Sequence, residues 1–376
     1  MSTLDEYFAT SAGQMAARGR LLLGKIRRDL PPEYGGLVSK TRDRLDEVIG
    51  RFVGLTNHGA RGIPPAVRQR QFRRLVGDLD LIENVALTAL NRAVEDDHRL
   101  TALVVKMCRE IRYPLQAPVV TTLSTNYFAI YPLFQLLLVP LTEGHFLLHL
   151  PDIYHELAHP LLTDRHDPLI EPFRRRFNRI VSEASCHFVA EVASINRGRA
   201  PRELSVLSAT AEYSWAKTWA TEFVCDLFAV SVLGPAFGWS HLHLHAKRGR
   251  SAFDVPVHGP TSHPADHARM TVVLSALHRL GFSSEANTIR ARWEELIARS
   301  EPGPSPEYQH CYPTTLLQLC VDEVLNGTLE IGCEAASPSM AGTIRNKLNE
   351  AWRELWHSPS SYLDWEGEAV MELRGL

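Results

Sequence analysis

Apolar positions recur at spacings of three and four along most of the chain. After Pro64-Pro65, which can open a helix at its first turn, Phe72, Leu75, Leu79, Ile82 and Ala86 form one apolar stripe. Arg70, Arg73, Arg74, Asp78 and Asp80 fill the opposite faces. Leu4–Arg28 is rich in Ala, Leu and Arg and is stopped by Pro31-Pro32 and Gly35-Gly36. Leu37–Leu55 is a second helical stretch. Residues 1–115 therefore read as packed helical hairpins. Tyr113-Pro114 breaks the pattern, and Val119–Leu123 and Phe134–Val139 are the predicted strands. The helical period returns at Leu150. The predicted helices are Pro151–Leu162, Pro172–Asn196, Leu204–Leu233, Pro264–Leu280, Ser284–Ser300, Thr314–Val324 and Ala341–His357. Gly281 reads as a helix C-terminal glycine and Glu301–Pro306 as a linker. The expected architecture is mainly α in three parts. Residues 1–115 form a helical region, 116–300 a core with a small β element, and 301–376 a helical appendage. No repeat of fixed period is present.

Composition narrows the function classes. Hydrophobic residues make up 45% and charged residues 22%, which argues for a folded globular protein. The net charge of −3, from 40 basic and 43 acidic residues, argues against a nucleic-acid binder. The longest nearly unbroken apolar run, Phe128–Leu141, contains Pro132, Pro140 and Gln135. It falls short of the about 20 residues a bilayer requires, so no membrane association is expected. The six cysteines show no CxxC spacing, and Met1–Glu6 is acidic where a signal peptide would be basic. Both point to reduced thiols and a cytoplasmic protein.

The chemistry lies in Leu150–His159, which contains His155-Glu156-x-x-His159. Pro151 suits a first helical turn, and Asp152 complements the positive end of the helix dipole. On a helix His155 and His159 share a face, so both imidazoles can reach one ion, with Glu156 beside them as a base. Pro160 biases His159 away from helical geometry, which predicts an end or a kink there. The flanking Ile153, Leu157, Leu161 and Leu162 predict a buried helix, and buried histidines need partners. Zinc needs a third protein donor. Glu222 and Asp226 lie four apart on a strongly apolar helix, where two carboxylates repel unless a cation sits near them. Glu222 as metal ligand answers that, with Asp226 accepting a hydrogen bond from a ligating histidine. Glu183, His187 and Glu191 compete for the third place but sit on a more polar helix. His241, His243 and His245 form another cluster, read as a polar rim of the cleft. Cys225 reads as a small core residue.

His155–His159 followed by Glu222–Asp226 resembles the gluzincin metallopeptidases, the thermolysin-like group with His, His and Glu ligands. Gly259–Met270, with Ser262-His263-Pro264 and Arg269, is similar to a segment downstream of the zinc ligands in membrane-type CAAX and heat-shock zinc proteases. Glu222–Pro235 resembles the ligand helix of the antitoxin-type soluble peptidases of bacteria. The resemblance spans residues 115–285. It implies a zincin-like core with one Zn2+ per chain, His263 as a donor to the developing oxyanion and Arg269 as a site-orienting cation. Ser262 or His263 can also cap a helix opened by Pro264. The expected function is a zinc metallopeptidase acting on a peptide or protein substrate, with Glu156 as general base. The N-terminal helices are a candidate surface for a protein partner. The alternatives are a helical interaction protein whose metal site is structural or silent, and a zinc amidohydrolase on a non-peptide substrate.

Overall fold

The stripe periodicities become helices because each segment buries its apolar face against another. A computed structural model describes residues 3–56, 63–124, 127–142, 146–164, 167–197, 204–248, 251–256, 259–299 and 303–375, and it is mainly helical. Ser300 and the start of the Glu301–Pro306 linker lie outside the described residues. The chain divides into two units, residues 1–105 with 116–141, and residues 106–115 with 142–376.

The first unit begins with α1 (Thr3–Leu23) and α2 (Gly35–Thr56), which pack as a hairpin. Gly19 permits the close approach, since a Cβ there would stand 2.6 Å from Ile49. Next comes α3 (Pro65–Leu81), which runs through a π-helical turn, Ile82–Leu87, into α4 (Thr88–Arg92). The stripe residues Leu75, Leu79, Ile82 and Ala86 are buried in one core with Leu45, Val48 and Phe52. The following helix, α5 (Glu95–Glu110), carries the acidic first turn that suits a helix dipole. The sheet has three short strands, β1 (Val119–Thr121), β2 (Ala129–Tyr131) and β3 (Leu136–Leu138). β3 is central, parallel to β1 with Val120 opposite Leu137, and antiparallel to β2 with Ile130 opposite Leu137. Two of these strands match the predicted ones; β2 is additional.

The second unit starts its main run with α6 (Pro151–Glu156) and α7 (Ala158–Thr163), followed by α8 (Glu171–Asn196) and α9 (Leu204–Ser214). A π-helical turn, Trp215–Trp219, leads directly into α10 (Ala220–Leu233). Then come α11 (Pro235–Arg248), α12 (Asp266–Arg279), α13 (Ser283–Ala298), α14 (Pro306–Cys311), α15 (Thr314–Glu330), α16 (Thr343–His357) and α17 (Tyr362–Gly375). The centre is α10, contacted by α6, α7, α8, α11, α12 and α15. Every residue from Glu222 to Leu233 is accordingly buried. At Gly234 φ is +83°, which glycine tolerates and which turns the chain into α11. Gly281, at φ +91°, ends α12 as expected: the Phe282 N–H donates to the Leu277 carbonyl and the Gly281 N–H to that of His278. Among the described residues no helix is long and apolar enough to cross a membrane.

Candidate metal centre

Pro151 opens α6 within its first turn, and the buried Asp152 accepts a hydrogen bond from Ser240 of α11 at 2.8 Å. Pro160 leaves its mark earlier in the chain than expected. It has no N–H to donate to the Glu156 carbonyl, and the helix breaks at Leu157 rather than at His159. Pro160 then sits in the first turns of α7, which continues to Thr163. The Tyr113 hydroxyl donates to the Leu157 carbonyl at 2.7 Å and ties down the break.

The opposite wall is α10, whose i, i+3, i+4 face presents Glu222, Cys225 and Asp226. His155 lies between the two carboxylates. Its Nδ1 is 2.8 Å from Asp226 Oδ1, and its Nε2 is 3.5 Å from Glu222 Oε2. Asp226 is fully buried and receives a two-pronged hydrogen bond from Arg269 of α12: Nε donates to Oδ2 at 2.6 Å and Nη2 to Oδ1 at 2.7 Å. Arg269 Nη2 also lies 3.9 Å from Glu222 Oε2. The Glu156 carboxylate is 3.8 Å from His159 Nε2, and the two imidazole centroids are 5.3 Å apart. The His155 ring stacks on Phe237 at 6.3 Å, which fixes its plane.

His263 approaches from the loop before α12. Its ring is about half exposed, with Nε2 3.6 Å from Glu222 Oε2 and Nδ1 2.9 Å from Ser262 Oγ. The loop is held to the π-helical turn preceding α10. Trp219 Nε1 donates to Thr261 Oγ1 at 3.0 Å, and Thr218 Oγ1 to the Thr261 carbonyl at 3.1 Å. The expected cap is absent: α12 opens at Asp266, its N-cap is Ala265, and no side chain caps it. Pro264 biases His263 away from helical geometry, and the Ala265 N–H donates to the Tyr312 hydroxyl at 2.8 Å.

Electrostatics follow from burial and these contacts. Burial opposes protonation of His155, but hydrogen bonds and charge from Asp226 and Glu222 outweigh it and raise the imidazole to about 10. Burial, reinforced by His155, pushes His159 down to about 4, so its ring is neutral at pH 7. Burial lifts the Glu156 carboxyl to about 7, aided by Glu222 and Asp152. Burial works against ionised Glu222 as well, yet His155, Arg269 and His263 hold it at about 2. Burial likewise opposes ionised Asp226, but Arg269 and His155 keep it well below the usual carboxylate range. The centre is thus two carboxylates around a ring that a cation must balance, and without an ion a proton on His155 does so.

The donor types suit zinc, but among the described residues the groups close enough to share one ion are His155, His159 and Cys225; the expected third ligand, Glu222, lies near His155 and outside that cluster, and Asp226 orients the His155 ring. A ring nitrogen of each histidine and Cys225 Sγ all lie within 4.8 Å of one another. Cys225 is fully buried, as a small core residue is expected to be, but against the two imidazoles. Its signal was its position three residues after Glu222, on the face that also carries Asp226. The other candidates lie elsewhere. Glu183 is exposed on α8, and Glu191 lies between His187 (3.6 Å) and His310 (3.2 Å). His241 and His245 form no polar rim. Both are buried on α11, bonded to the Asp266 carbonyl (3.0 Å) and carboxylate (2.8 Å), respectively. His243, on another face, stacks on His149.

Comparison with known protein families, curated proteins and solved structures returns no match for this chain.

Proposed function

We propose that the chain is a zinc-dependent metallopeptidase with a zincin-like core, acting on a peptide or protein substrate. The observation that carries this reading is the seating of His155 between Glu222 and Asp226, contributed from a helix far along the chain. His155, His159 and Glu222 hold the ion in this reading. Bound zinc supplies a Lewis acid and lowers the pKa of water from roughly 15.7 toward about 7.

The residues then divide the work. Asp226 accepts a hydrogen bond from His155 Nδ1–H and leaves Nε2 as the free donor atom, while Arg269 fixes Asp226. Glu156, buried beside the two imidazoles, would take a proton from the attacking water and hand it to the leaving amine. Such positioned acid–base help is worth about 10²–10⁴ in rate. His263, about half exposed beside Glu222, donates to the charge developing on the attacked carbonyl oxygen. A second reading, a structural metal site in a helical interaction protein, draws support from Cys225, because four protein donors close a tetrahedral site.

Zinc content and peptide hydrolysis of purified variants separate the two. His159→Ala is expected to lose stoichiometric zinc. Glu156→Gln is expected to keep it and to lose hydrolysis by at least about a hundredfold. Full hydrolysis by Glu156→Gln would overturn the mechanism.

A further inference from the structure

We propose that Cys225 Sγ is a donor to the ion held by His155 and His159, which makes the centre a mixed nitrogen–sulfur site. This rests on the metal centre that both readings above share and adds to it a soft donor that the His-Glu-x-x-His pattern does not contain; with Glu222 bound as well the site is closed, so the hydrolase reading then needs Glu222 to leave for water to bind.

The geometry carries the inference. Donors around one tetrahedral zinc ion stand roughly 3.3–3.6 Å apart, given bond lengths of about 2.0–2.1 Å to nitrogen and about 2.3 Å to sulfur. Cys225 Sγ lies within 4.8 Å of a nitrogen on each imidazole, at most about 1.5 Å wider than the spacing of donors on a bound ion. The sulfur is fully buried, on the same face of α10 as the two carboxylates that embrace His155. Five of the six cysteines are buried, but among the described residues only Cys225 belongs to a cluster of three or more groups able to hold a metal ion.

Glu222 is a shared donor. Its Oε2 faces His155, His263 and Arg269 at 3.5, 3.6 and 3.9 Å, so three positive or proton-bearing groups compete with an ion for it. A carboxylate with such alternatives is the donor that can let go. A sulfur donor beneath the imidazoles keeps the ion in place when it does. Ligation exchanges the S–H bond for an S–metal bond and gives the proton to solvent, with nothing oxidised or reduced. A thiolate in the set also favours zinc and cobalt over magnesium and manganese, which prefer oxygen.

The test is cobalt titration of the metal-free full-length protein, followed by absorption spectroscopy. The wild type is expected to bind one Co2+, with visible d–d bands and an intense near-ultraviolet sulfur-to-cobalt band. Cys225→Ser is expected to keep the d–d bands and lose the near-ultraviolet band, and its zinc affinity is expected to fall at least about tenfold. Cys186→Ser, at the exposed thiol, and Glu156→Gln are expected to keep both features. Unchanged circular dichroism confirms folding, and Cys225→Ala serves as the second variant. One Co2+ bound through His159 without a sulfur band, or a band that survives Cys225→Ser, overturns the sulfur donor and leaves the hydrolase reading standing. No cobalt bound, or cobalt retained in both His155→Ala and His159→Ala, overturns the metal centre itself.

Discussion

Arg269 shows what one residue does when it is buried among carboxylates. Its guanidinium gives two donors to Asp226, and Asp226 in turn fixes His155. Burial penalises the charged guanidinium, but Asp226 and Glu222 outweigh that and raise its pKa. Both members of the pair are almost wholly inaccessible. A buried pair is weak evidence for net stability, whereas removing one partner strands the other charge. Arg269→Met is therefore expected to cost about 3–5 kcal/mol of unfolding free energy in metal-free protein, measured by urea titration. Arg269→Lys keeps the charge but not the planar fork and should recover part of that loss. A cost below about 1 kcal/mol for Arg269→Met would show that Asp226 finds another partner. In the sequence Arg269 is marked only by the family resemblance, since a lone arginine on a helix has no local signature. The Glu222–Asp226 pair did have one, two acids in an otherwise apolar helix. Cys225 had only its place three residues after Glu222, on the same helical face, which an ordinary small core residue could share.

The clasp between α11 and α12 argues the same physics between elements. His245 Nδ1 lies 2.8 Å from Asp266 Oδ2, and His241 Nε2 lies 3.0 Å from the Asp266 carbonyl. Burial raises the Asp266 carboxyl, but the His245 hydrogen bond and the nearby His241 and Arg269 charges bring it down to about 2. Its folded value lies below the unfolded one of about 3.9, so the unfolded chain binds the proton more readily. The contribution is present above the unfolded pKa of about 4 and is lost as the pH falls toward 2, about 2.5 kcal/mol in all. Asp266→Asn is expected to be less stable than wild type at pH 6, with the gap shrinking toward pH 2, as read by urea unfolding at each pH. A constant gap would show that the carboxyl titrates normally. Helices were legible where the three-four stripe was long, as in α3, α8 and α10. Other elements carried too little pattern. β2 is only Ala129-Ile130-Tyr131, ahead of Pro132. The start of α11 follows a glycine directly, and its alternating histidines imitate a strand period. The carboxylate that explains those histidines is Asp266, more than 20 positions away and invisible to local spacing.

For the molecule as a whole, the second unit places two charges in the first half of its most buried helix. Glu222 and Asp226 sit on α10, packed on all sides, where uncompensated carboxylates are costly. Arg269 balances one of them, and in the absence of an ion the raised pKa of His155 supplies the second positive charge. This self-balancing makes a folded metal-free state reasonable and limits what an ion adds. The ion replaces a proton rather than rescuing a bare charge. An ion present at a hundred times its dissociation constant, bound only by the folded state, stabilises by about 2.7 kcal/mol. In a unit of this size each kcal/mol moves the midpoint by roughly 2–4 °C. Chelation of the zinc-loaded protein is therefore expected to lower the thermal midpoint of the second unit by roughly 5–10 °C without unfolding it at 25 °C. His159→Ala is expected to melt at one temperature with or without added zinc. Differential scanning calorimetry reads both. Collapse on chelation at 25 °C would mean that the carboxylates depend on the ion itself, and equal midpoints in the wild type would mean that no ion binds the folded centre.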